Sequence, residues 1–98
     1  MELEITVSEL RECLGKVTLV DVREPEEFQE CRIDGCKLIP LGELMTRAPR
    51  ELNPENDIVV YCAHGVRSMH ALLGLQRLGF KHVRSLRGGI AAWLETSN

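Results

Sequence analysis

The chain has 98 residues, of which 44% are hydrophobic and 28% charged, enough for one compact domain over 1–98 and too short for a second core. A formal net charge of −3 and a sequence pI near 5.6, with the twelve Lys and Arg scattered, leave no basic surplus for a phosphate backbone and argue against nucleic acid as a general partner. MELEITVSEL lacks the basic start and apolar run of a signal peptide, and no apolar stretch reaches the roughly 18 residues of a membrane span, so a cytoplasmic protein with no membrane partner is expected.

Thr6-Val7-Ser8-Glu9 has the capping-box pattern that starts a helix, and Gly15 stands where a left-handed cap would end it. Residues 17–22, VTLVDV, form a β-branched run too short for a helix and apolar enough for burial on both faces. Pro25 then opens PEEFQE as a helix with acidic residues in its first turn. Residues 36–39 read as a short strand that Pro40 stops, and Leu41 to Arg47 fit a helical turn or two before Pro49.

Residues 57–61, DIVVY, form the clearest strand. Arg67 to Leu78 follow as a helix with Ala71, Leu72, Leu75 and Leu78 on one face and Gly79 at its end. Residues 82–86 supply another strand, and Gly88-Gly89 lead into a terminal helix over 90–94. Strands alternating with helices predict right-handed crossovers and a mostly parallel sheet covered on both faces.

Ligands of such sheets bind beyond the carboxyl ends of the strands, and Cys62 stands at one of those ends. Between it and the following helix the chain must turn within Cys62-Ala63-His64-Gly65-Val66-Arg67, for which Gly65 supplies a permissive backbone. Successive N–H groups of such a turn, with the positive end of the helix, form an anion nest that favours a thiolate, and Arg67 adds a positive charge if it turns inward. A buried core thiol is the bland alternative for a lone cysteine; the strand, glycine loop, helix start and arginine together favour a nucleophile.

The stretch 19–24, LVDVRE, the Ile33-Asp34-Gly35 turn leading to Ile39-Pro40, the loop 62–68, CAHGVRS, and 86–93, LRGGIAAW, resemble in order the signatures of a single rhodanese domain. The flanking 39–44 and 86–93 are especially similar to rhodanese domains of enzymes that activate sulfur-carrier proteins. The resemblance implies a rhodanese-like α/β fold with a mostly parallel five-stranded sheet and helices on both faces. It also implies a thiosulfate sulfurtransferase in which the Cys62 thiolate takes the outer sulfur of a small anionic donor, holds it as a persulfide and passes it to cyanide, a thiol or a sulfur-carrier pathway. No cofactor and no metal are required; a protein sulfur acceptor or a thioredoxin-like reductant are the partners implied, and a small acidic surface without an apolar stripe favours a monomer.

Substrate binding is expected from the loop, Ala63, His64, Gly65, Val66, Arg67 and Ser68, with Arg67 for the anionic end of the donor and Ser68 as a helix-start hydrogen-bonder. Asp21 and Arg23 fall at the same sheet edge as supporting residues, with a structural ion pair favoured over direct chemistry. Arg32 departs from the histidine many relatives carry, which weakens a substrate role for 31–36. Two other readings remain, a non-catalytic rhodanese-like binding module and a phosphatase or arsenate reductase of the same fold. The latter resemble this architecture with five residues between cysteine and arginine, whereas four intervene here and Ser68 takes the place that arginine would need. Cys13, Cys31, Cys36 and Cys62 are read as thiols, since a chain without a secretion signal is expected in a reducing compartment, and the spacing of Cys31, Cys36, Cys62 and His64 is unlike paired zinc knuckles. Cys36 is expected to be packed, Cys31 is a remote candidate for resolving a persulfide, and Trp93 is expected to anchor the last helix.

Overall fold

Four short apolar runs cannot each bury two faces alone, and they do so by pairing. In the computed structural model, which describes residues 2–96, they join a fifth strand in one parallel sheet. The strands are β1 (Glu4–Ile5), β2 (Thr18–Asp21), β3 (Lys37–Leu38), β4 (Ile58–Tyr61) and β5 (Val83–Leu86), in the order β1-β5-β4-β2-β3. Helices α1 (Val7–Cys13), α2 (Pro25–Glu30), α3 (Leu44–Glu51), α4 (Val66–Arg77) and α5 (Gly89–Glu95) make the connections and the C-terminal cover. No helix among the described residues is long and apolar enough to cross a membrane.

Side chains of a strand alternate between faces, and both faces of central β4 are closed. Ile58, Val60 and Cys62 pack with Val20, Leu44, Ala71, Leu72 and Leu75 beneath α3 and α4. Val59 and Tyr61 pack with Ile5, Leu10, Leu86 and Ile90 beneath α1 and α5. Each fully buried Leu or Ile contributes about 1.5–3 kcal/mol, so these two layers hold the strand ends in register. That register fixes where Cys62 falls: Tyr61 pairs with Asp21, and the chain leaves the sheet one residue later.

Some expectations hold and others are corrected. The capping box of α1 forms, with Glu9 N–H donating to Thr6 Oγ1 at 3.1 Å and Thr6 N–H to Glu9 Oε1 at 2.9 Å. Gly15 is not a left-handed cap; the helix tightens into a 3-10 turn over Leu14–Lys16, whose closer bonds satisfy the last carbonyls instead. Pro49 does not end its helix. It removes only the bond to the Met45 carbonyl, while Leu52 N–H donates to Ala48 O at 2.9 Å and Arg47 bridges Glu43 and Glu51 across the same turns at 3.0 and 2.8 Å. β1 escaped the sequence reading because two residues carry no periodicity; Ser85 N–H to Leu3 O and Arg87 N–H to Ile5 O dock it on β5 at 2.8 and 2.9 Å.

Candidate active site

A thiol at the end of an apolar strand meets donors only if the chain turns back over it. It does. Gly65, at φ +114°, reverses the chain in a conformation that side chains resist and caps α4, whose first turn then faces Cys62. The Cys62 sulfur accepts the Gly65 N–H at 3.1 Å and the Ser68 N–H at 3.3 Å, with the Ser68 hydroxyl at 3.5 Å. Burial opposes ionisation of this thiol. The Ser68 hydroxyl and the N–H groups of Ser68, Gly65 and His64 outweigh it and lower its pKa below the ordinary thiol value.

The other side of the loop is held by the start of α5. Ile90 N–H donates to Cys62 O at 2.9 Å and Ala91 N–H to Ala63 O at 3.1 Å, so both carbonyls point away from the sulfur and leave N–H groups around it. Gly89 permits this approach: a Cβ there would lie 2.5 Å from Cys62 O and overlap Ala63 O, at a φ of +62°. Sequence reading took the Gly88-Gly89 pair only as a helix entrance; two consecutive glycines beside a reactive loop are the signal of such close approach.

Arg67 is placed at the loop but does not stand free. Glu27 of α2 holds it through two bonds, Nη1 to Oε1 at 2.8 Å and Nη2 to Oε2 at 3.0 Å. Arg67 draws the Glu27 carboxyl down to about 2, and Glu27 in turn raises the Arg67 pKa. Glu27 was absent from the sequence reading, since nothing local links residues forty positions apart. His64 and Val66 lie exposed on the rim, Val66 at 70%. Ser68 is fully buried, its hydroxyl 3.5 Å from the sulfur, 3.2 Å from Gly65 O and 2.7 Å from the hydroxyl of Ser85 on β5, a second residue the sequence reading passed over.

Asp21 and Arg23 form the expected structural pair. Their side chains are 0% and 4% exposed, and Arg23 meets Asp21 through Nη2 at 2.7 Å and Nε at 3.0 Å. Burial disfavours the guanidinium charge, and Asp21 more than restores it. Arg23 also donates to Cys31 O at 2.7 Å and lies over the Tyr61 ring, so this pair fastens the segment after α2 to the sheet and does not touch the Cys62 sulfur. Cys36 is half-buried, accepts the Tyr61 hydroxyl at 3.3 Å, and has its pKa raised by burial. Cys31 lies exposed, and Trp93 packs on the α5 side with Arg11 stacked on its ring at 4.0 Å.

Cys62 is 0% exposed, so its sulfur is covered rather than open at the sheet edge. The N–H cradle that favours its thiolate also covers it.

Residues 6–96 match the rhodanese-like domain. The chain belongs to that family. It is 40% identical over 97 residues to the probable adenylyltransferase/sulfurtransferase MoeZ of Mycobacterium tuberculosis, covering 91% of this chain but only 24% of that protein. The chain therefore spans about a quarter of that relative's length. Among solved structures, a human single-domain sulfurtransferase superposes with a TM-score of 0.91 at 27% identity over 100% of both chains. A Rhodopseudomonas palustris protein described as a possible tyrosine phosphatase superposes with a TM-score of 0.87 at 27% identity, covering 99% of this chain and 83% of its own. The rhodanese resemblance of the signature stretches, including a likeness to an adenylyltransferase/sulfurtransferase, and the parallel five-stranded α/β fold are thus borne out.

Proposed function

We propose that this rhodanese-like domain is a sulfurtransferase whose Cys62 carries sulfur as a persulfide. The observation that carries the reading is the convergence of the Gly65 and Ser68 N–H groups on the Cys62 sulfur, which suits the thiolate that attacks the donor and that the acceptor later restores. With thiosulfate as donor, the thiolate attacks the outer sulfur; a new sulfur–sulfur bond forms at Cys62 and the old one breaks, its electron pair leaving with sulfite. An acceptor such as cyanide or a thiolate then takes the outer sulfur and returns the Cys62 thiolate. Because the sulfur has no exposed surface, attack requires the rim of His64, Gly65 and Val66 to yield. Arg67 keeps three guanidinium N–H groups beyond the two that Glu27 holds, and these serve the anionic end of the donor at the mouth. The names of MoeZ and of the human single-domain protein support sulfur transfer.

The possible phosphatase among the structural neighbours makes phosphoryl transfer the second reading to test. Here the position that would supply a clamping arginine is Ser68, whose hydroxyl is turned inward and buried. The deciding experiment is intact mass after incubation with thiosulfate without reductant, for the native protein and Cys62→Ser. The native protein is expected to gain one sulfur atom, to lose it to cyanide, and the variant to gain none. No gain from thiosulfate or from a persulfide donor, together with phosphate release from an aryl ester, overturns the reading in favour of a phosphatase; neither activity leaves a binding module.

A further inference from the structure

We infer that Ser85, on β5 and outside the cysteine loop, is a positioning residue that aims the Ser68 hydroxyl at the Cys62 sulfur. The inference rests on Cys62 being the nucleophile and goes beyond that reading by adding a residue of the sheet to its machinery. The argument is a count of protons. Ser68 and Ser85 are 0% and 1% exposed, and each hydroxyl has one hydrogen to give. Ser68 Oγ has three neighbours: Ser85 Oγ at 2.7 Å, Gly65 O at 3.2 Å and Cys62 Sγ at 3.5 Å. Among the described residues Ser85 Oγ has one, Ser68 Oγ.

If Ser68 donated to Ser85, the Ser85 hydrogen would be left buried with no acceptor, which costs the desolvation of a polar group. Ser85 therefore donates to Ser68, and the Ser68 hydrogen is released toward the loop. There it has two acceptors. Gly65 O already takes the Met69 N–H of α4 at 3.2 Å, so turning the hydroxyl away from it leaves no orphan. The sulfur, once charged, is the stronger acceptor. The chain of donation thus runs from Ser85 to Ser68 to Cys62, and a hydroxyl that receives a hydrogen bond is a better donor of the next.

Register makes this possible. Ser85 pairs with Val60 in the sheet and shares the face of Val60 and Cys62 beneath α4, so its hydroxyl rises where the first turn of α4 comes down. The charge that bears on Cys62 comes from another element, Arg67 on α4, with Glu27 of α2 paired to it and Arg23 beyond β2 repelling it; the other titratable side chain of the loop, His64, lies exposed. Ser85 contacts none of them. Its effect must pass through Ser68.

The test measures the rate of iodoacetamide alkylation at Cys62, resolved by peptide mass, from pH 5 to 9. Ser85→Ala is expected to slow the reaction roughly 1.5- to twofold below the thiol pKa and to move the titration midpoint upward, because it removes the strengthening of the Ser68 bond to the sulfur and not the bond itself. In a Ser68→Ala background the same substitution is expected to change nothing. An unchanged rate in Ser85→Ala, or an equal loss with and without Ser68, overturns the inference, the latter assigning Ser85 to packing. Should Ser85→Ala fail to fold, Ser85→Thr and Ser85→Val decide, since they differ in one hydroxyl. Threonine keeping the native profile and valine losing it supports the relay; identical profiles overturn it. Because alkylation involves no sulfur transfer, failure of thiosulfate loading and failure of this coupling are separate results.

Discussion

The contact of α5 with the cysteine loop predicts a large difference between two substitutions of the same chemical kind. Gly89→Ala places a Cβ against the carbonyls of Cys62 and Ala63, both backbone, in a residue at φ +62°; Gly79→Ala meets nothing within 4 Å at a φ of +96°. Both incur the left-handed penalty of about 1–2 kcal/mol, offset in part by the stiffer unfolded chain. Gly89→Ala must in addition push the loop or α5 aside, about 1–3 kcal/mol, and lengthen the Ile90 and Ala91 bonds to Cys62 O and Ala63 O, worth about 1 kcal/mol each. The expected cost is about 3–6 kcal/mol, against roughly 5–15 for a domain of this size. Urea titration is the assay. With a slope of about 2 kcal/mol/M, Gly89→Ala should lower the midpoint by roughly 2 M and Gly79→Ala by roughly 0.5 M. The loop displaced by Gly89→Ala should also release the sulfur from its cover and lose its N–H groups, so that Cys62 alkylates faster at high pH and more slowly at low pH. Equal midpoint shifts for the two variants would refute the reasoning, because the loop would then be yielding to the new methyl without cost.

Two ion pairs predict opposite magnitudes. Glu27 has a carboxyl pKa near 2 against an ordinary 4.5, so its pairing with Arg67 stabilises the fold above about pH 4.5 and is lost as pH falls toward 2. With both side chains about one-third exposed, solvent screening holds this to about 1 kcal/mol. Urea midpoints from pH 6 to pH 3 should therefore fall less steeply for Glu27→Gln than for the native protein, and parallel curves would count against the pair. Asp21→Asn leaves the Arg23 guanidinium buried without its counter-charge, and a cost of about 3–5 kcal/mol is expected in the same assay at pH 7; a loss below 1 kcal/mol would mean that Arg23 escapes to solvent.

Sequence reading located the sulfur and its donors because those donors are local. A strand end, a glycine at φ +114° and a helix start all lie between Tyr61 and Ser68, and a turn that short brings its N–H groups close to the strand end. The order of β-branched runs likewise disclosed the parallel sheet, while β1 stayed hidden in two residues and Pro49 was read by rule at a place where its missing bond costs little. What escaped was the balance around the sulfur. Glu27 reaches Arg67 from forty residues away, Ser85 meets Ser68 because β5 pairs with β4 in one register, and Gly89 presses on Ala63 because α5 folds back on the loop. A shift of β5 by one residue would turn Ser85 to the opposite face and put Arg84 or Leu86 behind Ser68. The thiolate is thus favoured by local geometry and regulated by pairing, so substitutions within 62–68 should act on reactivity directly, and those at Glu27, Ser85 and Gly89 should act only through a named neighbour in that loop.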